Sequence, residues 1–330
     1  MQIGIIGTGL IGASIGLRLH SHGEKGISVI GYDVNRENLN LAQKINAIDS
    51  IAESIDVVVK NAKIIIISAP ILDVKAIFES INESILQNNV EDLVVTDTSS
   101  SKSKIIEWAN TILPKNVFFV GSHPMAGSTE VGPNYSDGSI FEGARWVITP
   151  TENSPQHAIE TILSLIEAMG ADPMFMDADE HDSYVAGISH MPLFAQIALF
   201  ALARESNAWA ELSMLASSGF KSASRLVATN PSLAFDINET NRMNIEHWIE
   251  RYIEELQKIK LLLQDSEDKE EFFRFIGAMH LDYLKFLDGA VGREHWGEQL
   301  TNVPDYNAFD LLMGGMLTDK LNKLDFDTKK

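Results

Sequence analysis

The sequence predicts two domains, an α/β domain built on a mainly parallel sheet followed by an all-helical domain. Up to residue 177, short runs of apolar and β-branched residues alternate with helical patterns, which is the order of a parallel sheet covered by helices on both faces. After Asp177 the strand patterns stop and long helical patterns follow. At 330 residues the chain is long enough for two domains of ordinary size. We therefore place the domains at 1–177 and 178–330.

The individual elements of the first domain follow from runs of apolar residues bounded by turn residues. Strands are predicted at Ile3–Ile6, Ser28–Tyr32, Lys63–Ser68, Asp92–Asp97, Val117–Val120, Arg145–Thr149 and Pro173–Met176. Helices are predicted at Ala13–His22, Leu72–Gln87, Lys102–Leu113 and Pro155–Met169.

The composition restricts the possible partners. Lysine and arginine total 26 against 46 acidic residues, a formal net charge of -20 that disfavours nucleic acid and anionic membranes. The absence of cysteine excludes disulfides, thiolate catalysis and cysteine-based metal sites, and we predict no metal. We find neither a targeting segment nor a run of about 18 apolar residues that could span a membrane. A cytoplasmic protein without a membrane partner is therefore expected.

A glycine-rich turn separates the first strand pattern from the first helical pattern. Gly7, Gly9 and Gly12 have the spacing Gly-x-Gly-x-x-Gly, which in this position is typical of a Rossmann-type dinucleotide-binding domain. The first glycine allows a tight turn, the second lets the backbone approach a pyrophosphate, and the third lets the helix pack on the strand. The amides of Leu10 and Ile11, at the helix N-terminus, would bind the phosphates.

An acidic residue selects between the two nicotinamide cofactors. Asp33 ends the second strand pattern, about 20 residues past the glycines, where it would accept hydrogen bonds from ribose hydroxyls. Its charge would repel a 2′-phosphate, so we predict NAD rather than NADP. Arg36 could instead serve a 2′-phosphate or be an ordinary surface residue.

Polar residues follow the next three strand patterns. Ser68 ends the third and Pro70 follows it, Ser100 comes after the fourth and His123 after the fifth. Because ligands of such sheets bind beyond the carboxyl ends of the strands, these residues are expected to converge. We assign Ser68 and Pro70 to the cofactor site.

The histidine lies in the stretch Gly121–Ser128, which reads Gly-Ser-His-Pro-Met-Ala-Gly-Ser. Pro124 confines His123 to an extended conformation just past the strand. His123 is therefore either a catalytic base or an incidental histidine on a surface loop. Ser100 is either its partner or the N-cap of the following helix.

The second domain carries further candidates. Lys221 and Arg225 are four residues apart, on one face if the segment is helical, and could bind a dianion or be paired surface charges. His190 precedes Pro192, which predicts a kink in a long apolar helix beginning near Asp177 or Asp179. The remaining helices are predicted at Ala208–Leu215, Ser232–Glu239, Arg242–Gln264, Lys269–Leu287 and Ala308–Lys323, with a solvated connection at Asp265–Glu271. The apolar helix is expected to be buried on most faces, partly against a second copy, which predicts a homodimer.

Taken together, these motifs resemble the prephenate/arogenate dehydrogenase family of tyrosine biosynthesis. The resemblance covers nearly the whole chain, and its most specific part is the stretch Gly121–Ser128; the others are Gly7–Gly12, Asp97–Lys102, His181–Pro192 and Gly219–Arg225. It implies a Rossmann-type domain followed by a helical dimerisation domain, with NAD as cofactor and prephenate or arogenate as the small-molecule substrate.

The resemblance also implies residue roles. His123 would take the proton of the substrate hydroxyl, and Ser100 would orient its imidazole and bind the same hydroxyl. Arg225 would bind a substrate carboxylate, with Lys221, His190 and Ser128 as further substrate-binding residues.

Three departures from the family pattern put the substrate in doubt. Leu193 replaces a second histidine, Thr129 stands where many members carry glutamate with Glu130 one step later, and Ala234 replaces a tryptophan. The leading hypothesis is oxidative decarboxylation of prephenate, and arogenate or dual specificity is the alternative. A β-hydroxyacid-type dehydrogenase relying on Lys221 and a cofactor-binding regulatory protein without turnover are the more distant alternatives.

Overall fold

The computed structural model describes residues 1–21, 26–151, 153–264 and 269–289. Residues Met1–Glu250 form one compact unit, and the described residues from Arg251 onward form a second. The boundary expected at 177/178 remains a prediction. The helix predicted at Ala308–Lys323 lies outside the described residues, as does most of the Asp265–Glu271 connection.

The first unit contains an eight-stranded sheet in the order β3-β2-β1-β4-β5-β6-β7-β8. All neighbouring pairs are parallel except β6 with β7. The strands are β1 (Gln2–Ile6), β2 (Ser28–Tyr32), β3 (Ser50–Ile51), β4 (Ile64–Ile67), β5 (Leu93–Asp97), β6 (Val117–Pro124), β7 (Arg145–Thr149) and β8 (Asp172–Phe175). The helices between them are α1 (Leu10–Ser21), α2 (Arg36–Lys44), α3 (Ile55–Asn61), α4 (Val74–Asn88), α5 (Ser103–Ile112) and α6 (Gln156–Met169).

Strand β4 explains why helices cover both faces of this sheet. Its four isoleucines are all buried, with Ile64 and Ile66 in one hydrophobic cluster and Ile65 and Ile67 in the other. Successive side chains of a strand point to opposite faces, so an uninterrupted apolar run needs cover on both sides. The predicted α/β architecture is confirmed.

The helical part of the chain begins at Asp177, whose side chain accepts from the amides of Asp179 and Glu180 and caps the next helix. The helices are α7 (Ala178–Val185), α8 (Met191–Arg204), α9 (Trp209–Leu215), α10 (Ser218–Ala223), α11 (Pro231–Gln264) and α12 (Lys269–Leu287). Helix α11 extends into the second unit and is kinked at Asn241, where the backbone leaves helical geometry. The kink falls between the two shorter helices that the sequence predicts there.

The apolar helix is less buried than predicted. The stretch Ala178–Arg204 has a mean hydropathy of 1.7 in its most apolar window, only 22% of which is buried. Contrary to expectation, it is long and apolar enough to span a membrane, the one such helix within the described ranges. Core helices of soluble proteins have the same length and composition. Within the described part of the chain, Leu193 is the one buried residue of α8.

Candidate active site

His123 lies within a strand, not on a loop as predicted. The first half of β6 pairs with β5 in parallel, from Val117 to Val120. The second half continues past the end of β5 and pairs antiparallel with β7, which places His123 opposite Val147. The extended conformation that Pro124 imposes on His123 therefore serves a strand. As a result, the histidine projects from a rigid element at the carboxyl end of the sheet.

The imidazole of His123 has one bonded nitrogen and one free nitrogen. Its Nδ1 lies 3.0 Å from Nε2 of His181, and the two rings meet edge to face. Its Nε2 makes no hydrogen bond with the described residues. Burial, together with the nearby His181, Lys102 and His190, holds the pKa of His123 well below its usual value. The ring is therefore neutral at pH 7 and is a possible proton acceptor.

The second histidine is attached to a buried carboxylate. Nδ1 of His181 lies 2.8 Å from Oδ1 of Asp182, and both side chains are buried. The backbone amides of Lys102 and Ser103 donate to the two oxygens of Asp182 at 2.7 and 2.9 Å. Asp182 therefore caps the N-terminus of α5 and links α7 to the loop after β5.

The Ser100 hydroxyl does not cap α5, which excludes the N-cap alternative. Its Oγ is buried and has no hydrogen-bond partner among the described residues, and it makes no hydrogen bond to His123. A buried hydroxyl without a hydrogen-bond partner destabilises the folded protein unless a ligand or a water molecule binds to it. The Ser100 side chain is thus available to a substrate, whereas the imidazole of His123 is held by His181.

His190 belongs to a π-helical turn, Ala186–His190, between α7 and α8. Pro192 follows within the first turn of α8 and has no amide to donate, so the break predicted at this proline is present as a π turn. Burial lowers the pKa of His190 to about 4, so this ring is also neutral at pH 7. The backbone of Ser100 is close enough to influence that pKa.

The tautomer of His190 follows from Asn241. The amide nitrogen of Asn241 donates to the carbonyl oxygen of Asp182 at 2.8 Å, which fixes the orientation of the amide. The same nitrogen lies 3.2 Å from Nδ1 of His190, so Nδ1 is an acceptor. In the neutral ring the proton is then on Nε2, which is buried and has no partner among the described residues. His190 thus presents an unused N–H donor.

A buried ion pair supports the same region. The ammonium of Lys102 contacts Oδ2 of Asp97 and donates to the carbonyl oxygen of Ser122 at 2.6 Å. Asp97 also accepts from the amides of Ser99 and Ser122. Both charged side chains are fully buried. The network joins the end of β5 to the backbone immediately before His123, and it lowers the positional freedom of the histidine.

The glycine loop has the shape that a dinucleotide requires. Gly7 has φ +95°, a conformation natural to glycine, and a Cβ there would overlap the backbone of Ser68. A Cβ at Gly12 would overlap the carbonyl oxygen of Gly7, so the third glycine permits the close approach of α1 to β1. A Cβ at Gly9, in contrast, would meet no atom within 4 Å. That open space lies at the N-terminus of α1, where Leu10 and Ile11 donate no hydrogen bond to a described side chain.

The residues at the end of β2 fit an unphosphorylated ribose. Asp33 accepts from the amide and hydroxyl of Thr8 at 2.7 and 3.2 Å, which holds its carboxylate against the glycine loop. Arg36 forms an ion pair with Glu53. Because the guanidinium of Arg36 is paired with Glu53, it is less available to bind a 2′-phosphate.

The remaining predicted residues have fewer contacts. Ser68, just past β4, accepts from the hydroxyl of Thr98, and Pro70 is exposed just before a short 3₁₀ turn. Ser128 is exposed and its hydroxyl accepts from the amide of Glu130, which makes it a turn residue in this structure.

The two cations are not on one helix face. Lys221 belongs to α10, which ends at Ala223, and Arg225 begins a separate 3₁₀ turn, Arg225–Ala228. The helix ends because the backbone at Ser224 leaves helical geometry. Both side chains are exposed, and neither forms an ion pair within the described part of the chain. Their charges are free to meet an anion.

Two family models together match most of the chain. Residues 15–174 match the prephenate dehydrogenase nucleotide-binding domain, and residues 177–278 match the prephenate dehydrogenase dimerization domain. The chain belongs to the prephenate dehydrogenase family. The prephenate dehydrogenase of Bacillus subtilis is 31% identical over 82% of this chain and 72% of its own length. That of Lactococcus lactis is 32% identical over 96% and 86%.

Solved structures of prephenate dehydrogenase relatives have the same fold. Prephenate dehydrogenase from A. aeolicus, in complex with hydroxyphenyl propionate and NAD+, superposes with a TM-score of 0.79 at 27% identity, over 87% of this chain and 98% of that one. Arogenate dehydrogenase from Synechocystis gives a TM-score of 0.71 at 27% identity, over 87% and 100%. The more distant alternative of a β-hydroxyacid-type dehydrogenase is set aside.

Several residues of the site were not assigned a role from the sequence. They are Asp97, Lys102, His181, Asp182 and Asn241. For His181 and Asp182 the sequence did contain a signal. A histidine next to an aspartate at the start of a helix allows the carboxylate to hydrogen-bond the imidazole, as it does here. The pairing of Lys102 with Asp97 could not be anticipated, since charged side chains are rarely fully buried.

Proposed function

We propose that this protein is an NAD-dependent prephenate dehydrogenase, which converts prephenate to 4-hydroxyphenylpyruvate, CO2 and NADH. The observation that carries the proposal is the neutral His123, with a free Nε2 at the carboxyl end of the sheet. Hydrogen bonds through His181, Asp182 and Asn241 connect His123 to His190, and the backbone of Ser100 lies beside the His190 ring. These residues form a polar cluster beyond the strand ends, which is where ligands of this fold bind.

The residue types match the reaction. Prephenate is a non-aromatic ring with a hydroxyl at C4, a carboxylate at C1 and a pyruvyl side chain, and its oxidation requires loss of the hydroxyl proton. His123 accepts that proton as general base. Ser100 and His190 offer a hydroxyl and an N–H that lack partners in the described chain, and these bind oxygen atoms of the substrate. Aromatisation supplies the driving force, so orientation and proton removal are the main tasks of the protein.

The Gly7–Gly12 loop and Asp33 hold the cofactor. NAD, when bound, accepts the hydride that leaves C4. Leu10 and Ile11 begin α1 directly after Gly9, where a Cβ would meet no protein atom within 4 Å, and a helix N-terminus with open space beside it suits a pyrophosphate. Asp33 accepts from ribose hydroxyls, and the ion pair of Arg36 with Glu53 favours NAD over NADP. Ser68 and Pro70 complete the rim at the end of β4.

Lys221 and Arg225 supply the positive charge for the two carboxylates of prephenate. Arg225 can bind a carboxylate through two parallel hydrogen bonds, and Lys221 acts as a point charge beside it. Ser128 is assigned to the same substrate site, at its exposed edge.

Arogenate is the alternative substrate, favoured by the likeness to an arogenate dehydrogenase and by Leu193. This residue is buried, with 5% of its surface exposed, and it stands where many family members carry a histidine. An apolar side chain there removes one donor for the keto oxygen of the prephenate side chain. Thr129, Glu130 and Ala234 are the other positions at which the two specificities are expected to differ.

A homodimer completes the proposed molecule. The second family model describes a dimerization domain, and the exposed apolar side chains of α8 and α9 lie within its range. They are Ile197, Leu199, Leu202, Leu212, Met214 and Leu215. A second copy of the chain would cover them, which is more consistent with the acidic composition than a membrane is. We place the dimer in the cytoplasm, without a nucleic-acid partner.

The experiment that tests this function is a comparison of kcat/KM for prephenate and arogenate with NAD and with NADP, with NADH and CO2 followed together. We expect the highest value for prephenate with NAD, and equal release of NADH and CO2. A higher value for arogenate would establish the alternative. Tight NAD binding without turnover of either substrate would contradict the enzyme assignment.

A further inference from the structure

Three side chains form a chain of hydrogen bonds that ends at the base. Asp182 Oδ1 and His181 Nδ1 are 2.8 Å apart, and His181 Nε2 and His123 Nδ1 are 3.0 Å apart. The residues come from α7 and β6, which are distant in the sequence. His181 and Asp182 are fully or nearly fully buried, whereas the His123 ring is partly accessible. The chain therefore runs from the interior toward the open site.

Asp182 is held as an ionised acceptor. Burial by itself would raise its pKa, but the hydrogen bonds from His181 and from the amides of Ser103 and Lys102 hold the pKa of this carboxyl below its usual value. The two amides belong to the start of α5, whose partial positive charge also favours a carboxylate. An ionised carboxylate can only accept hydrogen bonds.

When both rings are neutral, this constraint determines the position of every proton along the chain. Because Asp182 only accepts, Nδ1 of His181 must carry a proton and donate it. In a neutral His181 ring, Nε2 then has a lone pair, and it accepts from Nδ1–H of His123. In a neutral His123 ring, the lone pair is left on Nε2, which makes no hydrogen bond within the described residues. The carboxylate of Asp182 thus sets the tautomer of His123 through the intervening ring of His181.

We propose that His181 and Asp182 are positioning residues that hold His123 in the tautomer with a basic Nε2, a role that rests on the proposed function. The substrate hydroxyl proton moves to Nε2 of His123 as the O–H bond breaks, and the resulting imidazolium donates from Nδ1 to His181. The buried carboxylate of Asp182 stabilises that positive charge through the intervening ring. A related triad in serine proteases depends on its aspartate for the correct histidine tautomer.

If His181 and Asp182 only stabilised the fold, the requirements on their side chains would be different. To join α7 to β6, any pair of hydrogen-bonding side chains in these positions would serve. Catalysis requires an acceptor at the position of His181 Nε2. Glutamine can place an amide oxygen near that position, whereas asparagine reaches only to the position of Nδ1. The variants His181→Asn and His181→Gln therefore form a matched pair, both polar and both smaller than or equal to the original ring.

The test has a kinetic part. For His181→Asn we expect kcat with prephenate to fall by about 10²-fold, within the range for loss of general-base function. KM values for prephenate and NAD should stay within about threefold, because neither ligand contacts His181 in this account. His181→Gln should recover part of the lost kcat, because its amide oxygen can accept from Nδ1–H of His123. The recovery should be incomplete, because the amide can also turn its NH2 group toward His123 and support the wrong tautomer. His20→Gln is the control, because His20 forms a comparable pair with Asp49 at the surface.

The second part does not depend on turnover. In protein labelled with ¹⁵N at its nine histidines, long-range ¹H–¹⁵N correlations report which ring nitrogen carries the proton, and His123→Gln assigns the signal. We expect His123 to be protonated at Nδ1 in the unmodified protein and to lose this preference in His181→Asn. Protonation of His123 at Nε2 in the unmodified protein would overturn the proposal even if the variants failed to fold.

Full kcat in a folded His181→Asn would overturn it as well. Absence of prephenate turnover in the unmodified protein, with the expected Nδ1 tautomer still observed, would count against the proposed function and leave the tautomer assignment standing.

Discussion

At the scale of single residues, the site contains two neutral histidines whose environments give opposite functions to the same ring atom. His123 donates from Nδ1 to His181 and keeps a lone pair on Nε2. His190 accepts at Nδ1 from Asn241 and keeps a proton on Nε2. One ring is therefore a base and the other a donor, although the pKa of each is lowered by burial. The difference comes from the neighbours, which are an imidazole bound to a carboxylate for His123 and a side-chain amide for His190.

Arg225 provides a prediction about substrate binding. For Arg225→Ala we expect KM for prephenate to rise by about 10–100-fold, because a charge-assisted hydrogen bond contributes about 1.5–3 kcal/mol. The value of kcat should change much less, since the arginine binds the ground state and transition state alike. Arg145→Ala is the control, because this exposed arginine pairs with Asp172. An unchanged KM in Arg225→Ala would remove this residue from the substrate site.

At the scale of elements, different glycines of the Gly7–Gly12 loop are expected to serve folding and cofactor binding. We expect Gly9→Ala to leave the melting temperature unchanged, since the added methyl group meets no protein atom within 4 Å. NAD affinity should fall by at least about tenfold, because the methyl group would occupy space needed by the pyrophosphate. Gly12→Ala should lower the melting temperature, since its methyl group overlaps the carbonyl oxygen of Gly7. Thermal unfolding and NAD titration would measure both, and equal NAD affinity in Gly9→Ala would contradict this placement of the cofactor.

The buried ion pair between β5 and α5 gives a prediction about stability. Lys102→Met should lower the free energy of unfolding by about 3–5 kcal/mol, because it leaves the carboxylate of Asp97 buried without a counter-charge. Lys104→Met, on the exposed side of the same helix, should change it by less than about 0.5 kcal/mol. Adding Asp97→Asn to Lys102→Met should recover part of the loss. Urea unfolding measures all three, and equal stability of the two single variants would refute a structural role for the pair.

At the scale of the whole molecule, the exposed apolar side chains of α8 predict association. Leu202 is 75% exposed, and we expect Leu202→Glu to convert a dimer of twice 36.5 kDa to a monomer in light scattering. Leu86→Glu is the matched control, since Leu86 is 69% exposed on α4 of the nucleotide-binding domain. A monomer in the unmodified protein, or a dimer unaffected by Leu202→Glu, would contradict the proposed interface.

Much of the fold could be predicted because its strands are short apolar runs. Strands β2 and β7 and helix α12 have the predicted bounds. Helices α2 and α3 and strand β3 were not predicted, because elements of nine, seven and two residues are too short for periodicity to identify them. Asn35 and Ser54, which cap α2 and α3, were the available signals. Strand β6 is longer than predicted because its second half exists only through pairing with β7.

The candidate site was less predictable than the fold. The positions of His123 and Ser100 near strand ends follow from the general rule for parallel sheets. The support of His123 by His181 does not, since it depends on α7 packing against α5, a tertiary contact. In the same way, the cap of α5 is Asp182 and not Ser100, because the amides of Lys102 and Ser103 donate to the carboxylate of Asp182, which belongs to α7.

The role of His123 as general base is tested by the initial rate of NADH formation from prephenate by the unmodified protein and by His123→Asn, with NAD affinity measured in parallel. We predict rapid NADH formation by the unmodified protein and a decrease in kcat of about 10²–10⁴-fold in the variant, with NAD affinity unchanged. Near-normal turnover by His123→Asn would contradict the assignment of the base.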